Sequence, residues 1–245
     1  MKLPPQAIQR PYKLMTRKEI ADGILEMQFE PEHPEDRIPE FLPGQWVNLY
    51  LSNPDGTPFA KAAYSIACAP SDVGADGRLT LGVAMARGFT QRLAALQVGD
   101  IVRLQGPFGV FTLPASSERL TFFAGGIGIT PLRSMIREAL SREDTTPITL
   151  FYSCKTMGSC AWLEEFRELA ASHERFSFVP ILTREEVSDW DGECGRCSAQ
   201  MIDRHVADAN GAFLLCGPTS FMESVIGILE SKGVHSKQIH QERFS

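Results

Sequence analysis

This chain lacks a long apolar run. No stretch reaches the roughly 20 residues that a membrane-spanning helix needs, so no membrane partner is expected. The opening Met1-Lys2-Leu3-Pro4-Pro5-Gln6 has no apolar core of the signal-peptide kind, and the cytoplasm is the expected compartment. A surplus of cations is also missing: 24 Lys and Arg face 30 Asp and Glu, a net charge of -6. Non-specific nucleic-acid binding and attraction to acidic membranes both need clustered positive charge, so neither is expected. No C-x4-C-x2-C run occurs, which removes a plant-type iron–sulfur site. Repeats and low-complexity tracts are absent too. The six cysteines, Cys68, Cys154, Cys160, Cys194, Cys197 and Cys216, are expected as free thiols, with no metal site. Cys194-Gly195-Arg196-Cys197 is a C-x-x-C, for which a redox pair or half a zinc site are the competing readings.

What is present falls into two textures. At 245 residues the chain can bury a sizeable core, as one large domain or two small ones. The first half alternates apolar and polar residues, as in Leu25-Glu26-Met27-Gln28-Phe29 and more loosely in Trp46–Leu51. Turn signals punctuate it at Asp22-Gly23, Pro43-Gly44, Asp55-Gly56, Asp76-Gly77 and Gly99-Asp100. That spacing predicts a small antiparallel β-barrel, with a short helix over Thr90–Leu96. Pro114–Glu118 reads as a linker. Beyond it, strands at Leu120–Ala124, Ile148–Tyr152, Phe176–Leu182 and Ala212–Cys216 alternate with helices at Pro131–Leu140, Ala161–Ala171, Ala199–Ala207 and Thr219–Lys232. Alternation of that kind predicts a parallel sheet covered by helices, a Rossmann-like α/β domain. Arg184–Cys197 is polar and reads as a loop. The expected domains are 8–114 and 115–245.

The richest segment is Ala124-Gly125-Gly126-Ile127-Gly128-Ile129-Thr130-Pro131, between the apolar Leu120–Phe123 and the helical pattern from Leu132 to Leu140. Glycines on a strand-to-helix turn let the backbone come close to a ligand, and the helix start offers free N–H groups to a phosphate. Pro131 suits the first helical turn. A tight turn without a ligand is the competing reading.

Two further segments stand in order with it: Ala63-Tyr64-Ser65-Ile66-Ala67, and Leu215-Cys216-Gly217-Pro218. Together the three resemble the Arg-x-Tyr-Ser, Gly-Gly-x-Gly-x-Thr-Pro and Cys-Gly-Pro motifs of the ferredoxin–NADP reductase superfamily. The resemblance runs from about Tyr12 to Phe244. It implies a flavin-binding barrel followed by an NAD(P)-binding domain. There is one departure: Ala62 stands where the family has the arginine that pairs with flavin phosphate. Lys61 is adjacent but falls on the opposite face of a regular strand, which leaves Arg87 or Arg92 as substitutes.

The resemblance also implies roles for particular residues. The Tyr64 ring would pack along the flavin and the Ser65 hydroxyl would bond near flavin N5, with Ile66 beside them. Gly88 and Thr90 would open a helix against the flavin pyrophosphate, or Thr90 is a plain N-cap. Gly125, Gly126, Gly128, Thr130 and Pro131 would hold the dinucleotide. Cys216, Gly217 and Pro218 would lie beside the nicotinamide, with a buried apolar cysteine as the alternative. Thr183-Arg184-Glu185 resembles the Ser-Arg-Glu of NADP-using members, and Thr183 with Arg184 would take the ribose phosphate, unless the segment is a solvated loop. Near the C-terminus, Glu242 would play a polar catalytic part and Phe244 would pack on a cofactor, or the tail frays. Ser65, Cys216 and Glu242 form the expected reaction centre.

The expected cofactors are FAD rather than FMN, and NADP(H) ahead of NAD(H). Electrons would pass from NAD(P)H through the flavin to a one-electron carrier such as ferredoxin or flavodoxin. The alternatives are the reductase subunit of a larger oxygenase or dehydrogenase, and a nucleotide-binding sensor that has lost flavin.

Overall fold

The computed structural model describes residues 4–53, 57–85, 88–206 and 208–243. The chain divides into two compact units, Met1–Leu113 with Arg133–Ser141, and Pro114–Leu132 with Arg142–Ser245. The first holds strands β1 (Arg10–Ala21), β2 (Ile24–Pro31), β3 (Trp46–Ser52), β4 (Pro58–Ser65) and β5 (Leu79–Ala84), helix α1 (Phe89–Ala94) and β6 (Ile101–Phe108). They form one antiparallel sheet in the order β4-β3-β6-β1-β2-β5. Its outer strands meet through the bridge Ile66↔Leu81 and the bond from Ala67 N–H to the Thr80 carbonyl, 2.8 Å. The predicted barrel is therefore present. Burial alternates along β2 and β3, so one face of each strand fills the barrel core, with Met27, Phe29, Val47 and Leu49 fully buried.

The second unit begins with β7 (Leu120–Gly125), then α2 (Ile129–Ser141), β8 (Ile148–Cys154), α3 (Leu163–Ser172), β9 (Phe176–Leu182), β10 (Glu193–Cys194), α4 (Ala199–His205), β11 (Ala212–Gly217), α5 (Thr219–Ser231) and β12 (Ile239–Arg243). Only the start of α2 belongs to it. From Arg133 on, the helix is part of the barrel unit. The sheet is wholly parallel, in the order β10-β9-β8-β7-β11-β12. Every residue of β7 and β11 is buried, as expected for strands covered on both faces. From β7 the chain winds outward through β8 and β9, then crosses back to β11. The strand order thus reverses at the β7–β11 pair, whose carboxyl ends are the usual ligand position in such sheets.

Two expectations need correction, and one alternative reading is set aside. Cys154 and Cys160 are not free thiols but form a disulfide. The chain after β8 turns back through Met157–Ser159 and brings their Cα atoms to 5.6 Å, within disulfide reach. Compartment arguments carry no information about that return. The Arg184–Cys197 segment is not all loop: Glu193–Cys194 pairs with Ile181–Leu182 as an edge strand. The tail does not fray through Arg243, because β12 pairs with β11 along its whole length. No helix among the described residues is long and apolar enough to cross a membrane.

Candidate functional site

In the barrel unit, β4 carries Tyr64 opposite Val47 and Ser65 opposite Trp46. Alternation puts positions 60, 62 and 64 on the face of the buried Val47, Leu49 and Leu51. The Tyr64 ring stacks with Phe89, the first residue of α1, at 6.3 Å between centroids and 29° between planes. Its hydroxyl is buried and has no hydrogen-bond partner among the described residues. Burial pushes its pKa up to about 12, so it stays a protonated donor. A buried donor without a partner is costly. A flavin ring carries the acceptors to satisfy it, so this residue fits the cofactor. Ser65 and Ile66 are both buried. Gly88 has φ 76° and precedes α1, and Thr90 lies in the first turn of that helix. Arg87 and Phe244 lie outside the described residues.

Sequence reasoning missed the clamp behind this motif. Arg133 Nη1 donates to the Ala67 carbonyl at 2.8 Å, and Ser134 Oγ to the Cys68 carbonyl at 2.7 Å. Arg137 grips Asp72 with two bonds of 2.6 and 2.7 Å. Burial acts to raise the Asp72 pKa, but the Arg137 bonds hold it below the usual carboxylate value. Arg133 and Ser134 are 8% and 0% exposed on a helix buried nearly all round, so both must have partners; the sequence shows only two polar residues inside an apolar helical pattern, without naming those partners.

In the α/β unit the glycine turn sits at the carboxyl end of β7. Gly126 has φ 53°, and a side chain there would meet nothing within 4 Å, which leaves open space in front of the turn. Gly128 is the opposite case. A Cβ there would overlap the Cys216 carbonyl and lie 2.7 Å from Gly217 N. The turn and the Cys216-Gly217 strand end are thus packed backbone to backbone, and only glycine permits it. Thr130 Oγ1 donates to the Ile127 carbonyl at 2.8 Å, and Pro131 is buried. Pro218 precedes α5 and is exposed.

Cys216 and Glu242 lie side by side in register on β11 and β12. Cys216 is fully buried, and burial followed by the nearby Glu242 charge raises its pKa far above that of an ordinary thiol. It stays a neutral thiol, suited to packing rather than nucleophilic attack. Burial also raises Glu242, whose Oε2 has no partner among the described residues. Thr183 and Arg184 fall elsewhere, two strands from β7 at the end of β9. Thr183 Oγ1 donates to the Cys154 carbonyl at 3.0 Å, Arg184 N–H to the Lys155 carbonyl at 2.9 Å, and Met157 N–H to Glu185 Oε2 at 2.6 Å. The disulfide closes this same loop. Among the described residues, no cluster of His, Cys, Asp or Glu could hold a metal. A cavity of about 260 Å³ lies away from all of this, lined by Ile202, Phe213 and Lys232 near the start of β11.

Comparison with known proteins finds a family match in each half of the chain. Residues 11–113 match the oxidoreductase FAD-binding domain and residues 122–226 the oxidoreductase NAD-binding domain. The chain is 37% identical over 219 residues to the reductase component of phenol 2-monooxygenase from Pseudomonas sp. (strain CF600), covering 85% of this chain and 59% of that protein. It is 31% identical over 244 residues to ferredoxin–NADP reductase B of Sorangium cellulosum (strain So ce56), covering 95% of this chain and 96% of that one. The chain therefore spans about three fifths of the phenol-hydroxylase relatives and nearly all of the Sorangium protein. Among solved structures, the FAD/NAD-binding domain of nitric oxide dioxygenase from Vibrio cholerae O1 biovar El Tor superposes with a TM-score of 0.84. At 20% identity, over 96% of this chain and 98% of that one, it speaks to the fold alone.

Proposed function

The chain belongs to the ferredoxin–NADP reductase superfamily as an NAD(P)H–FAD oxidoreductase, and from that premise we propose that it delivers electrons to a one-electron carrier protein such as ferredoxin or flavodoxin. The observation that carries the reading is the glycine turn at the point where strand order reverses, open at Gly126 and packed at Gly128 against Cys216-Gly217. When bound, the nicotinamide and flavin supply hydride transfer and release of single electrons. The chain supplies position. Residues 8–114 would hold the flavin, through Tyr64, Ser65, Ile66, Gly88 and Thr90. Residues 115–245 would hold the dinucleotide on Gly125, Gly126, Gly128, Thr130 and Pro131. Cys216, Gly217 and Pro218 would orient the nicotinamide, Glu242 would set the polarity beside it, and Arg184 with Thr183 would favour NADP(H).

Kinship with a phenol 2-monooxygenase reductase component favours a second reading, in which the acceptor is the oxygenase partner of a larger system. Stopped-flow measurement separates the parts. Anaerobic NADPH should reduce the bound flavin, and the reduced protein should then be reoxidised by ferredoxin, flavodoxin or an oxygenase component at distinguishable rates. At saturating coenzyme, Ser65→Ala and Cys216→Ala should each slow flavin reduction, by about a hundredfold at most, since small misplacements of reacting atoms have effects of that order. An unchanged limiting rate in both variants would remove them from the reaction centre. A colourless protein that takes up no flavin on reconstitution would overturn the whole reading.

A further inference from the structure

FAD carries a diphosphate, and a dianion of that kind is held best by a fixed guanidinium. This inference rests on the reading that flavin lies against Tyr64. Among the residues of β4 and α1, only Lys61 and Arg92 are cationic. Lys61 is accounted for. It pairs in register with Tyr50, its ammonium lies 5.6 Å from the centre of that ring, and it points to the strand face opposite Tyr64. The register shift that could have redirected β4 falls at Leu51/Ser52, level with Phe59 rather than Lys61.

Arg92 is placed differently. It follows Phe89 by three residues, so it shares the helix face that brings Phe89 onto Tyr64. Its guanidinium carbon lies 3.8 Å from the centre of the Phe59 ring, and that ring remains 42% exposed. Nη1 donates to Asn53 Oδ1 at 3.2 Å and Nη2 to the Ser52 carbonyl at 3.3 Å. Both acceptors are neutral, and no carboxylate pairs with Arg92 among the described residues. The group is therefore fixed by three contacts, with ring, amide and carbonyl, without a counter-charge among the described residues. Ala62, on the Tyr64 face of β4, offers no cation of its own.

We infer that Arg92, held over the Phe59 ring, binds the diphosphate of the flavin in this chain. Phe59 and Asn53 are positioning residues that fix the guanidinium plane. The test is equilibrium binding of FAD and riboflavin to the full chain, followed by flavin fluorescence. The ratio of the two dissociation constants isolates the phosphate part of recognition. Arg92→Ala should lower FAD affinity by about 10- to 100-fold while leaving riboflavin affinity unchanged. Arg92→Gln keeps the stem and a donor and gives the same readout if the alanine variant does not fold. Lys61→Ala should leave the ratio as it is. Adding Ala62→Arg to Arg92→Ala should restore FAD affinity without moving riboflavin. Loss of both ligands in equal proportion from a folded Arg92 variant would make Arg92 a structural residue only and overturn the inference. So would an unchanged ratio in Arg92→Ala or a collapsed one in Lys61→Ala. A wild-type chain that binds neither flavin would instead overturn the flavin reading itself.

Discussion

On the proposed reading, the two units would meet their ligands with different chemistry. The barrel unit would use side chains: the Tyr64 ring and hydroxyl, the Phe89 stack, and Arg92 on Phe59. The α/β unit would use backbone: the Gly125–Gly128 turn, the start of α2 and the Cys216-Gly217 strand end. A backbone site restricts which residues may stand in it. At Gly128 no Cβ fits. A side-chain site restricts only what group arrives at a point in space, and that group can come from another element. Position 62 can therefore be alanine if a helix supplies the guanidinium, whereas Gly128 has no such freedom.

The largest expected effect tests the backbone side. Gly128→Ala puts a Cβ into the Cys216 carbonyl, and both partners are main chain that cannot swing away. Overpacking of this kind costs about 1–3 kcal/mol, at the upper end where only main chain could yield. Gly126→Ala meets open space, so its only penalty is the left-handed backbone, about 1 kcal/mol. Urea denaturation should rank the two in that order, while coenzyme titration should find the folded Gly126→Ala weakened more than its stability loss explains. Equal stability losses would erase the distinction between a packed and an open glycine.

Next in size is a side chain inside the backbone-built unit. Arg184 is exposed, and its backbone is tied to Lys155. Arg184→Ala should raise KM for NADPH by roughly tenfold, the loss of one charge-assisted contact, and leave KM for NADH nearly unchanged. Steady-state kinetics with both coenzymes decides it. Equal effects on the two would make Arg184 a surface residue.

The difference between the units also explains what was legible in the sequence. The parallel sheet could be read from its continuous apolar strands, and the barrel from alternation and turn residues. The glycine turn was readable because the apolar strand, the glycines and the helical pattern are contiguous, while the approach of Gly128 to Cys216-Gly217 comes from the sheet. The Cys216–Glu242 pairing was half readable, as two residues named separately that strand register then brings together. The Arg133 and Ser134 bonds, the Arg92–Phe59 stack and the Cys154–Cys160 disulfide were not readable as contacts. Each depends on where a turn or helix returns in space, which periodicity does not record.

A smaller effect belongs to the Tyr64 hydroxyl. It is buried and has no partner among the described residues, so Tyr64→Phe removes an unmet donor and should leave the apoprotein as stable or stabilise it by up to about 1 kcal/mol. The same change should weaken flavin binding several-fold, and Tyr64→Ala more, through lost stacking area. Thermal melts and flavin titrations on the three forms make the check. A Tyr64→Phe variant less stable without flavin and unchanged in affinity would assign the hydroxyl to structure.

The smallest effect concerns Glu242, where both units' logic meets in one residue: a side chain whose surroundings are set by backbone register. Burial raises its pKa in the folded state above the ordinary value, so the folded chain holds its proton more tightly than the unfolded one. The sign follows from linkage. Stability is greatest below the unfolded pKa and declines as pH rises through the folded one, because above that point a buried charge must be kept. Glu242→Gln cannot ionise and should flatten this decline. The variant should match wild type in acid and melt slightly higher at neutral pH, with the Cys216 thiol freed of a neighbouring charge and titrating lower. Melting temperatures across pH 4–8 follow the first effect, and the pH dependence of thiol alkylation in urea-free buffer follows the second. A Glu242→Gln variant that melts lower than wild type at neutral pH would mean that the carboxylate has a stabilising partner in the folded chain, and that its role is to hold β12 in register rather than to set the polarity beside Cys216.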